Sequence, residues 1–358
     1  MPHSAFSRLR TPAAKCLHLI RLNSVTSRSE LVEATHLSQP TVTRAIAALL
    51  KAGYVVERND LTRSQGRGRP IIPLELADTA GIHAGIAVGT SSTYIALFDI
   101  KGRTLRDCDI STPVAKLSQD DFIQHIMAGL NRLNAGIDRP LATVGVTTSG
   151  SVSQDGVVTA PNLGWKGVNI AAQLREQFSV PVTVTAAVPA IIGSEIQSFE
   201  TVHTPGIMAL FADDSIGAAI SGPDGVTALD LNNNELTTDG LLATLGDPRI
   251  HSLPEAVATA ESSSATRATL DERATQLGSV AAGLVAKHSP NTLVVAGSAF
   301  IDDPKAPALF ARSVRERLPQ ETKVDLRMIP THREVVRDIA RAVALDFVLR
   351  EPLSVPTS

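Results

Sequence analysis

The sequence has few cysteines, few aromatic side chains and no long apolar run. Its only two cysteines among 358 residues, Cys16 and Cys108, cannot build a disulfide framework or a four-cysteine zinc site. Aromatic residues make up 3%, so the cores must consist mainly of Ala, Val, Leu and Ile. The longest uncharged stretch of note, 177–194, contains two prolines and many polar residues and does not qualify as a membrane span, which needs about 20 apolar residues.

Basic residues interrupt every apolar stretch near the start, so we see no signal peptide and expect a cytoplasmic protein without a membrane partner. The length predicts two or three domains, and 43% apolar with 19% charged residues is typical of a globular protein. No cluster of metal-ligating residues is evident, and we predict no metal and no cofactor.

Charge is distributed unevenly along the chain. Residues 1–76 contain 11 Lys and Arg against 5 Asp and Glu, a net +6, which leaves 22 basic and 31 acidic residues, a net −9, in 77–358. A basic head on an acidic body indicates that the head meets a polyanion. A solvated basic face is the alternative on charge alone.

The pattern in the head favours DNA. Apolar spacing predicts a first helix over 11–22, and Ser27 with Glu30 forms a capping box for a short second helix. Ser38 caps a third helix, which Gly53 ends. A short helix, a tight turn and a longer helix together predict a helix-turn-helix motif.

The third helix would place its N-terminal side chains against base edges in the major groove of double-stranded DNA. Glutamine suits adenine, arginine suits guanine or a phosphate, and threonines suit phosphates. The predicted contacts on this helix are Ser38, Gln39, Thr41, Thr43 and Arg44.

Two β-like runs, 54–58 and 71–76, flank a connector whose tip reads Gly-Arg-Gly-Arg-Pro. Such a slim, basic segment suits a narrow minor groove, and the head is therefore predicted to be a winged helix. A flexible hairpin tip is the alternative. The predicted contacts on the wing are Arg63, Arg67, Gly68 and Arg69.

From residue 81 strands alternate with helices, which predicts an α/β body of two lobes around a cleft. We assign 1–76 to the DNA-binding domain, 77–186 with the terminal helix 333–350 to lobe 1, and 187–332 to lobe 2. The predicted strands are 82–88, 93–99, 104–110, 142–147, 182–185, 207–211, 217–220 and 292–296, and the predicted helices are 120–133, 168–178, 270–287 and 333–350.

The winged-helix pattern, the segment 84–102 and the run Ala-Pro-Asn-Leu-Gly-Trp at 160–165 resemble the ROK family of repressors, open reading frames and sugar kinases. The resemblance spans nearly the whole chain and is strongest over 26–76 and 142–182. It implies an actin-like, ribonuclease-H-like two-lobed body, sugar or ATP bound between the lobes, and homodimers or tetramers. Its regulators are helix-turn-helix repressors, many of sugar genes.

The sequence departs from the family's kinase motifs. The run 87–91 reads Ala-Val-Gly-Thr-Ser where the kinases have Asp-x-Gly-Gly-Thr, and 185–189 reads Thr-Ala-Ala-Val-Pro where they have Glu-Asn-Asp-Ala-Asn. The metal acid and the general base are therefore missing, and the base alone is worth roughly a hundred- to ten-thousand-fold in rate. The family's Gly-Thr-Gly-x-Gly phosphate loop corresponds to 213–217, where two carboxylates would repel phosphate. The family's zinc cysteines are absent as well, and we predict that the protein is not an enzyme.

Such a body can still sense a small molecule. The residues predicted to contact an effector are Ser149, Gly150, Asn162, Trp165, Glu195, Asp213 and Asp214. Asn162 could instead only cap its turn and Trp165 could fill a core. Loss of the sugar-reading Asn and Asp argues against an ordinary hexose.

We therefore predict a transcription regulator that binds an inverted-repeat operator as a homodimer and responds to a metabolite. Arg341 and its neighbours on the last helix, together with Leu345 and Val348, are candidates for dimer contacts. The alternatives are a regulator whose body only oligomerises or docks a protein, and an active sugar kinase.

Overall fold

The computed structural model describes residues 5–23, 26–62, 71–78, 81–199, 206–222, 224–231 and 233–355. The chain forms two compact units. Unit 1 consists of Met1–Thr204, Pro223–Gly225 and Arg337–Ser358, and unit 2 consists of Pro205–Gly222 and Val226–Val336.

The described residues form the following elements. The helices are α1 (Pro12–Leu22), α2 (Arg28–Thr35), α3 (Gln39–Lys51), α4 (Gln119–Asn134), α5 (Ile170–Phe178), α6 (Ala187–Ser198), α7 (Thr238–Leu245), α8 (Leu253–Thr259), α9 (Ser264–His288), α10 (Ser298–Ile301), α11 (Ala306–Arg317) and α12 (His332–Arg350). The strands are β1 (Val55–Glu57), β2 (Leu74–Leu76), β3 (Ile82–Val88), β4 (Ser92–Phe98), β5 (Thr104–Ser111), β6 (Leu141–Thr148), β7 (Ser151–Val152), β8 (Val158–Ala160), β9 (Trp165–Val168), β10 (Val182–Ala186), β11 (Ile207–Ala212), β12 (Ile216–Gly222), β13 (Gly225–Leu229), β14 (Thr292–Ala296) and β15 (Asp325–Met328).

The head forms the predicted helix-turn-helix. Ser27 and Glu30 make the capping box of α2 in both directions, and Ser38 caps α3 through the amide of Thr41. Gly53 follows α3 with a positive φ of 75°, a conformation that glycine adopts without steric cost. The antiparallel pair β1–β2 comes next, although β2 is shorter than the predicted run 71–76.

The main sheet of unit 1 has the strand order β10-β6-β3-β4-β5. Its strands β10, β6 and β3 run parallel, whereas β3, β4 and β5 form an antiparallel meander. The predicted strands of this lobe are confirmed to within a residue or two at each end. The carboxyl ends of β6 and β10 lie side by side, with Thr148 opposite Ala186.

Sequence periodicity did not predict the small antiparallel sheet β7-β8-β9. The predicted helix over 168–178 was wrong at its start, because Trp165–Val168 is a strand and α5 begins at Ile170. Asn169 caps α5 through the amide of Ala172, so the helix could not begin earlier.

Unit 2 has a second five-stranded sheet, of order β13-β12-β11-β14-β15. It has the same mixture as the first sheet: β11, β14 and β15 are parallel, and β12 is antiparallel to β11. Its core contains Phe310 and the apolar face of α9. The long helix is confirmed but starts earlier than predicted, at Ser264.

The head does not have a core of its own. Ile46 and Leu49 of α3 share one buried cluster with Leu345 and Val348 of α12. The expectation that Leu345 and Val348 supply dimer contacts is therefore wrong, since both are fully buried within one chain. The division into three domains stays a prediction, and in the packing the head and α6 belong to unit 1.

Candidate DNA-binding surface and effector site

The N-terminal half of α3 presents polar side chains to solvent. Gln39, Thr43 and Arg44 are exposed, whereas Val42 and Ile46 on the opposite face are completely buried. The buried stripe therefore fixes which side of the helix faces outward. This is the arrangement by which a recognition helix offers side chains to the major groove.

The first turn of α3 is held by its own side chains. The hydroxyls of Ser38 and Thr41 lie 2.8 Å apart, and the Arg44 Nε donates to the Pro40 carbonyl at 3.3 Å. These contacts position Arg44 near the helix N-terminus and leave its terminal nitrogens without a hydrogen-bond partner among the described residues. That geometry suits contact with a base or a phosphate.

Two other basic residues of the head, Arg28 and Arg58, form ion pairs with carboxylates. Arg28 meets Glu57 at 2.6 Å, while Arg58 binds Asp60 through two bonds and also Glu75. The hydrogen bonds that Arg58 donates to Asp60, and then to Glu75, raise the pKa of Arg58 above its ordinary value. The pairs Arg28–Glu57 and Arg58–Glu75 join residues 29 and 17 positions apart, so the charge count could not reveal them. The predicted wing contacts Arg63, Arg67, Gly68 and Arg69 lie outside the described residues.

The predicted effector residues of unit 1 gather in part at the carboxyl end of β6. Ser149 follows this strand, and its hydroxyl donates to the Asn162 side-chain oxygen at 2.8 Å. Gly150 has a φ of 76°, and a Cβ there would collide with the backbone at Thr159 and Ala160. The backbone of β8 therefore passes directly against this turn. This places Asn162, two residues after β8, within hydrogen-bond distance of Ser149.

Trp165 occupies the core position that the sequence left open. It is 5% exposed and packs edge-on against Phe122, with ring centroids 4.9 Å apart. Glu195 lies half-buried on α6, later in unit 1. The structure thus pairs Ser149 with Asn162 and places Trp165 among core side chains.

In unit 2, Asp213 follows β11 and accepts hydrogen bonds from Ser298. The Ser298 hydroxyl donates at 2.8 Å and its amide at 3.3 Å. Asp213 also accepts the amide of the exposed Asp214, at 2.9 Å. The Ser298 amide at the start of α10 is therefore already hydrogen-bonded to a carboxylate of the chain itself, that of Asp213.

The buried Arg273 of α9 interacts electrostatically with Asp213 and Asp214 of this turn and was missed by sequence reasoning. It is 5% exposed, and its Nε donates to the Leu236 carbonyl at 2.9 Å. Burial lowers its pKa to about 10, while Asp213, Asp303 and Asp214 act in the opposite direction. An arginine in the middle of a helical pattern carries no sequence signal that distinguishes it from an exposed one.

In the part of the chain that the structure describes, no group of three or more His, Cys, Asp or Glu side chains is arranged to hold a metal ion. None of the described helices is both long and apolar enough to cross a membrane.

The fold and the exposed recognition helix define a class of protein, a winged-helix DNA-binding head on a sugar-kinase-like two-lobed α/β body. The ROK family matches residues 83–220, and a winged helix-turn-helix DNA-binding family matches residues 17–56. The transcriptional regulator Rv0485 of Mycobacterium tuberculosis is 30% identical over 338 residues, covering 82% of this chain and 76% of that protein. This chain therefore belongs to the ROK family.

More distant relatives agree with this assignment. The xylose repressor of Bacillus subtilis is 28% identical over 168 residues, covering 45% of this chain and 42% of that protein. Among solved structures, a ROK family transcriptional regulator that is a homolog of the E. coli MLC protein matches with a TM-score of 0.73 at 16% identity, covering 95% of this chain and 98% of that one. A ROK glucokinase from Streptomyces griseus matches at 0.58 and 16% identity, over 74% of this chain and 99% of that one. The winged head and the named relatives make this chain a ROK-type transcriptional regulator.

Proposed function

We propose that the chain is a repressor that binds an inverted-repeat operator in double-stranded DNA as a homodimer and is modulated by a small metabolite. The observation that carries the proposal is the outward polar face of α3, with Gln39, Thr43 and Arg44 exposed on a head of net charge +6. Two heads related by two-fold symmetry would bind half-sites about one helical turn apart, or a multiple of it.

The carboxyl end of β6 supports the effector part of the proposal. Ser149 and Asn162 join there in a hydrogen bond, beside the end of β10. Ligands of open α/β sheets bind outside the carboxyl ends of strands. We propose Ser149, Gly150, Asn162 and Glu195 as the effector residues of unit 1, and a metabolite other than an ordinary hexose as the ligand.

Two features support the absence of kinase activity. Ala187, at the position of the family's general base, cannot accept a proton. In unit 2, Asp213 holds the hydroxyl and amide of Ser298 in the loop that matches the phosphate loop. A phosphate approaching there would meet a negative charge instead of free amides.

The test begins with retention of genomic DNA fragments by the purified protein, followed by sequencing. A recovered duplex then serves for fluorescence anisotropy as a function of salt concentration. We expect Arg44→Ala to weaken specific binding by roughly 5- to 150-fold, since a bidentate base contact is worth about 1–3 kcal/mol. The exposed Arg132 on α4 offers a control with the same change of charge, and Arg132→Ala should leave binding unchanged.

Equal binding by Arg44→Ala and the unaltered protein would remove α3 from the interface. Mass measurement of the complex decides the homodimer, because one chain per operator would contradict it. Thermal shifts with a metabolite library address the effector, since a ligand that binds the native state must raise its stability. A library without any such ligand would favour a body that only oligomerises or docks a protein. ATP turnover with hexoses would contradict the absence of kinase activity.

A further inference from the structure

Helix α6 begins at the candidate effector site of unit 1. It follows β10 without a break, and the last residue of β10, Ala186, is paired with Thr148, the residue before Ser149. Its twelve residues span about 18 Å at 1.5 Å per residue. The two ends of α6 therefore lie in different surroundings, and its far end meets the head.

The far end of α6 is capped by side chains of α1. Helix α6 has no basic residue in its last turn, and its terminal carbonyls have no partner within the helix. The Arg21 guanidinium donates to the Gln197 carbonyl, and the His18 Nε2 donates to the Phe199 carbonyl at 2.8 Å. A cation at a helix C-terminus is also favoured by the helix dipole.

The Arg21 guanidinium is largely removed from water here, and its Nε has no hydrogen-bond partner among the described residues. Burial, and then the nearby Arg341, lower its pKa to about 10. Such a buried cation is costly unless its hydrogen bonds are kept, so a displacement of the Gln197 carbonyl must be followed by Arg21 or leave it poorly paired. The contact therefore transmits movement between α6 and α1 in both directions.

Two further contacts fasten the same end of α6. The Gln197 side chain donates to the Ala342 carbonyl of α12 at 2.9 Å, and Arg341 of α12 donates to the Ser194 hydroxyl at 3.3 Å. The ring of Phe6, just before α1, lies against Gly193 so closely that no Cβ fits between them. Helix α6 is thus joined to α1 and to α12, the two helices that contribute to the core of the head.

Helix α1 in turn carries the recognition helix. Leu17 and Ile20 of α1 are buried in one cluster with Ile46 and Leu49 of α3. Because packed cores resist small deformations, a shift of α1 displaces α3 as well. Contacts thus run without interruption from the end of β10 to the DNA-reading surface.

We propose that α6 couples the effector site of unit 1 to the recognition helix through its bonds to His18 and Arg21. A ligand that moves the start of α6 changes the placement of α3, and DNA bound to α3 restrains α6 by the same free energy, because coupling is reciprocal. This inference rests on the proposed function, since it presupposes that α3 binds DNA.

The reciprocal effect can be measured without knowing the effector. Amide hydrogen exchange of the full chain is followed with and without the recovered operator duplex. We expect exchange over 190–199 to slow by roughly 5- to 150-fold on DNA binding, the usual range of allosteric coupling. Helix α4 serves as the internal control, and its exchange should not change.

The double variant His18→Leu with Arg21→Met removes both donors to α6. It should bind the operator, yet exchange over 190–199 should no longer respond to DNA. His18→Gln keeps an amide donor for the Phe199 carbonyl and should respond like the unaltered chain. If the double variant does not fold, the unaltered chain still tests the coupling, because exchange over 190–199 that does not slow on operator binding would overturn it.

The outcomes separate the two claims. Operator binding with unchanged exchange over 190–199 would overturn the coupling and leave the DNA-binding proposal intact. A double variant whose α6 still responds to DNA would exclude His18 and Arg21 as the connection. Absence of any specific DNA binding would refute the proposed function, and the coupling with it.

Discussion

The Phe6 amide donates to the Asp346 carboxylate at 2.8 Å, joining the start of the chain to its last helix, 340 residues later. One turn further along α12, Arg350 binds the same carboxylate at 2.8 Å, and the side chains of Asp346 and Arg350 are 1% and 9% exposed. The pair therefore fastens the segment before α1 to α12 inside unit 1.

Asp346→Ala should lower the free energy of unfolding by about 3–5 kcal/mol, because it leaves the Arg350 charge buried without its partner. Denaturant unfolding of both proteins measures the difference. The exposed pair of Arg327 and Asp325 is the matched control, and Asp325→Ala should cost less than about 1 kcal/mol. A similar loss from both variants would show that burial does not set the cost.

Gly193→Ala should destabilise the protein by about 1–3 kcal/mol, because the new methyl group would overlap the buried ring of Phe6. Gly283 in α9 has open space around its Cβ position and provides the control. Gly283→Ala should stabilise the protein by up to about 1 kcal/mol, the helix-propensity difference between the residues. Thermal unfolding of both variants checks the opposite signs, and stabilisation by Gly193→Ala would contradict the close packing of Phe6.

Trp165→Ala should cost about 3–5 kcal/mol, as expected for truncating a large buried side chain, and Trp165→Phe should cost much less because an aromatic edge still faces Phe122. As the only tryptophan, Trp165 should also emit at the short wavelengths of an apolar environment. Unfolding curves and the emission spectrum test this. A fall below about 1 kcal/mol for Trp165→Ala would indicate a surface position.

His83 makes stability depend on pH. It is fully buried, and its Nδ1 lies 2.8 Å from the Thr143 hydroxyl, which itself donates to the Ala344 carbonyl. The Nδ1 must therefore carry the proton. Burial lowers the His83 pKa from 6.5 to about 4, which outweighs the opposite effect of Asp99, while Arg139 lowers it further.

Between pH 6.5 and about 4, His83 binds a proton in the unfolded chain but stays neutral in the folded chain. Its contribution to the free energy of unfolding is therefore present above pH 6.5 and is lost as the pH falls towards about 4. The loss is on the order of 3 kcal/mol at low pH. His83→Asn keeps a donor for Thr143 without titrating, so its unfolding free energy should fall less between pH 7 and pH 4.5. Parallel curves for the two proteins would refute this assignment.

The head was largely predictable because its signals are local. The capping residues Ser27, Glu30 and Ser38 and the helix-ending Gly53 each act within a few positions, and the structure confirms the helices that they delimit. The strands of the unit 1 main sheet and the three central strands β11, β12 and β14 of the unit 2 sheet were predictable for a similar reason, since buried strands are short apolar runs. The outer strands β13 and β15 are partly exposed and were missed. The small sheet β7-β8-β9 has short, partly exposed strands without such a pattern, and it was missed.

The candidate site was predictable in part. Sequence alone placed Ser149 at a strand end and Asn162 in a turn, but their hydrogen bond depends on how closely β8 passes the turn at Gly150. Trp165 shows the limit, because an apolar side chain can line a pocket or fill a core with the same local sequence. Only packing against Phe122 distinguishes the two cases.

By itself, the sequence determined the family, the recognition helix with its outward polar residues and the loss of the kinase residues, because residue chemistry and short-range spacing carry that information. The tertiary structure alone decided which charges are paired and how the head is attached. His18 and Arg21 meet α6 across more than 170 residues, and Leu345 completes the core of the head. Such contacts follow from the path of the whole chain, which no local pattern encodes.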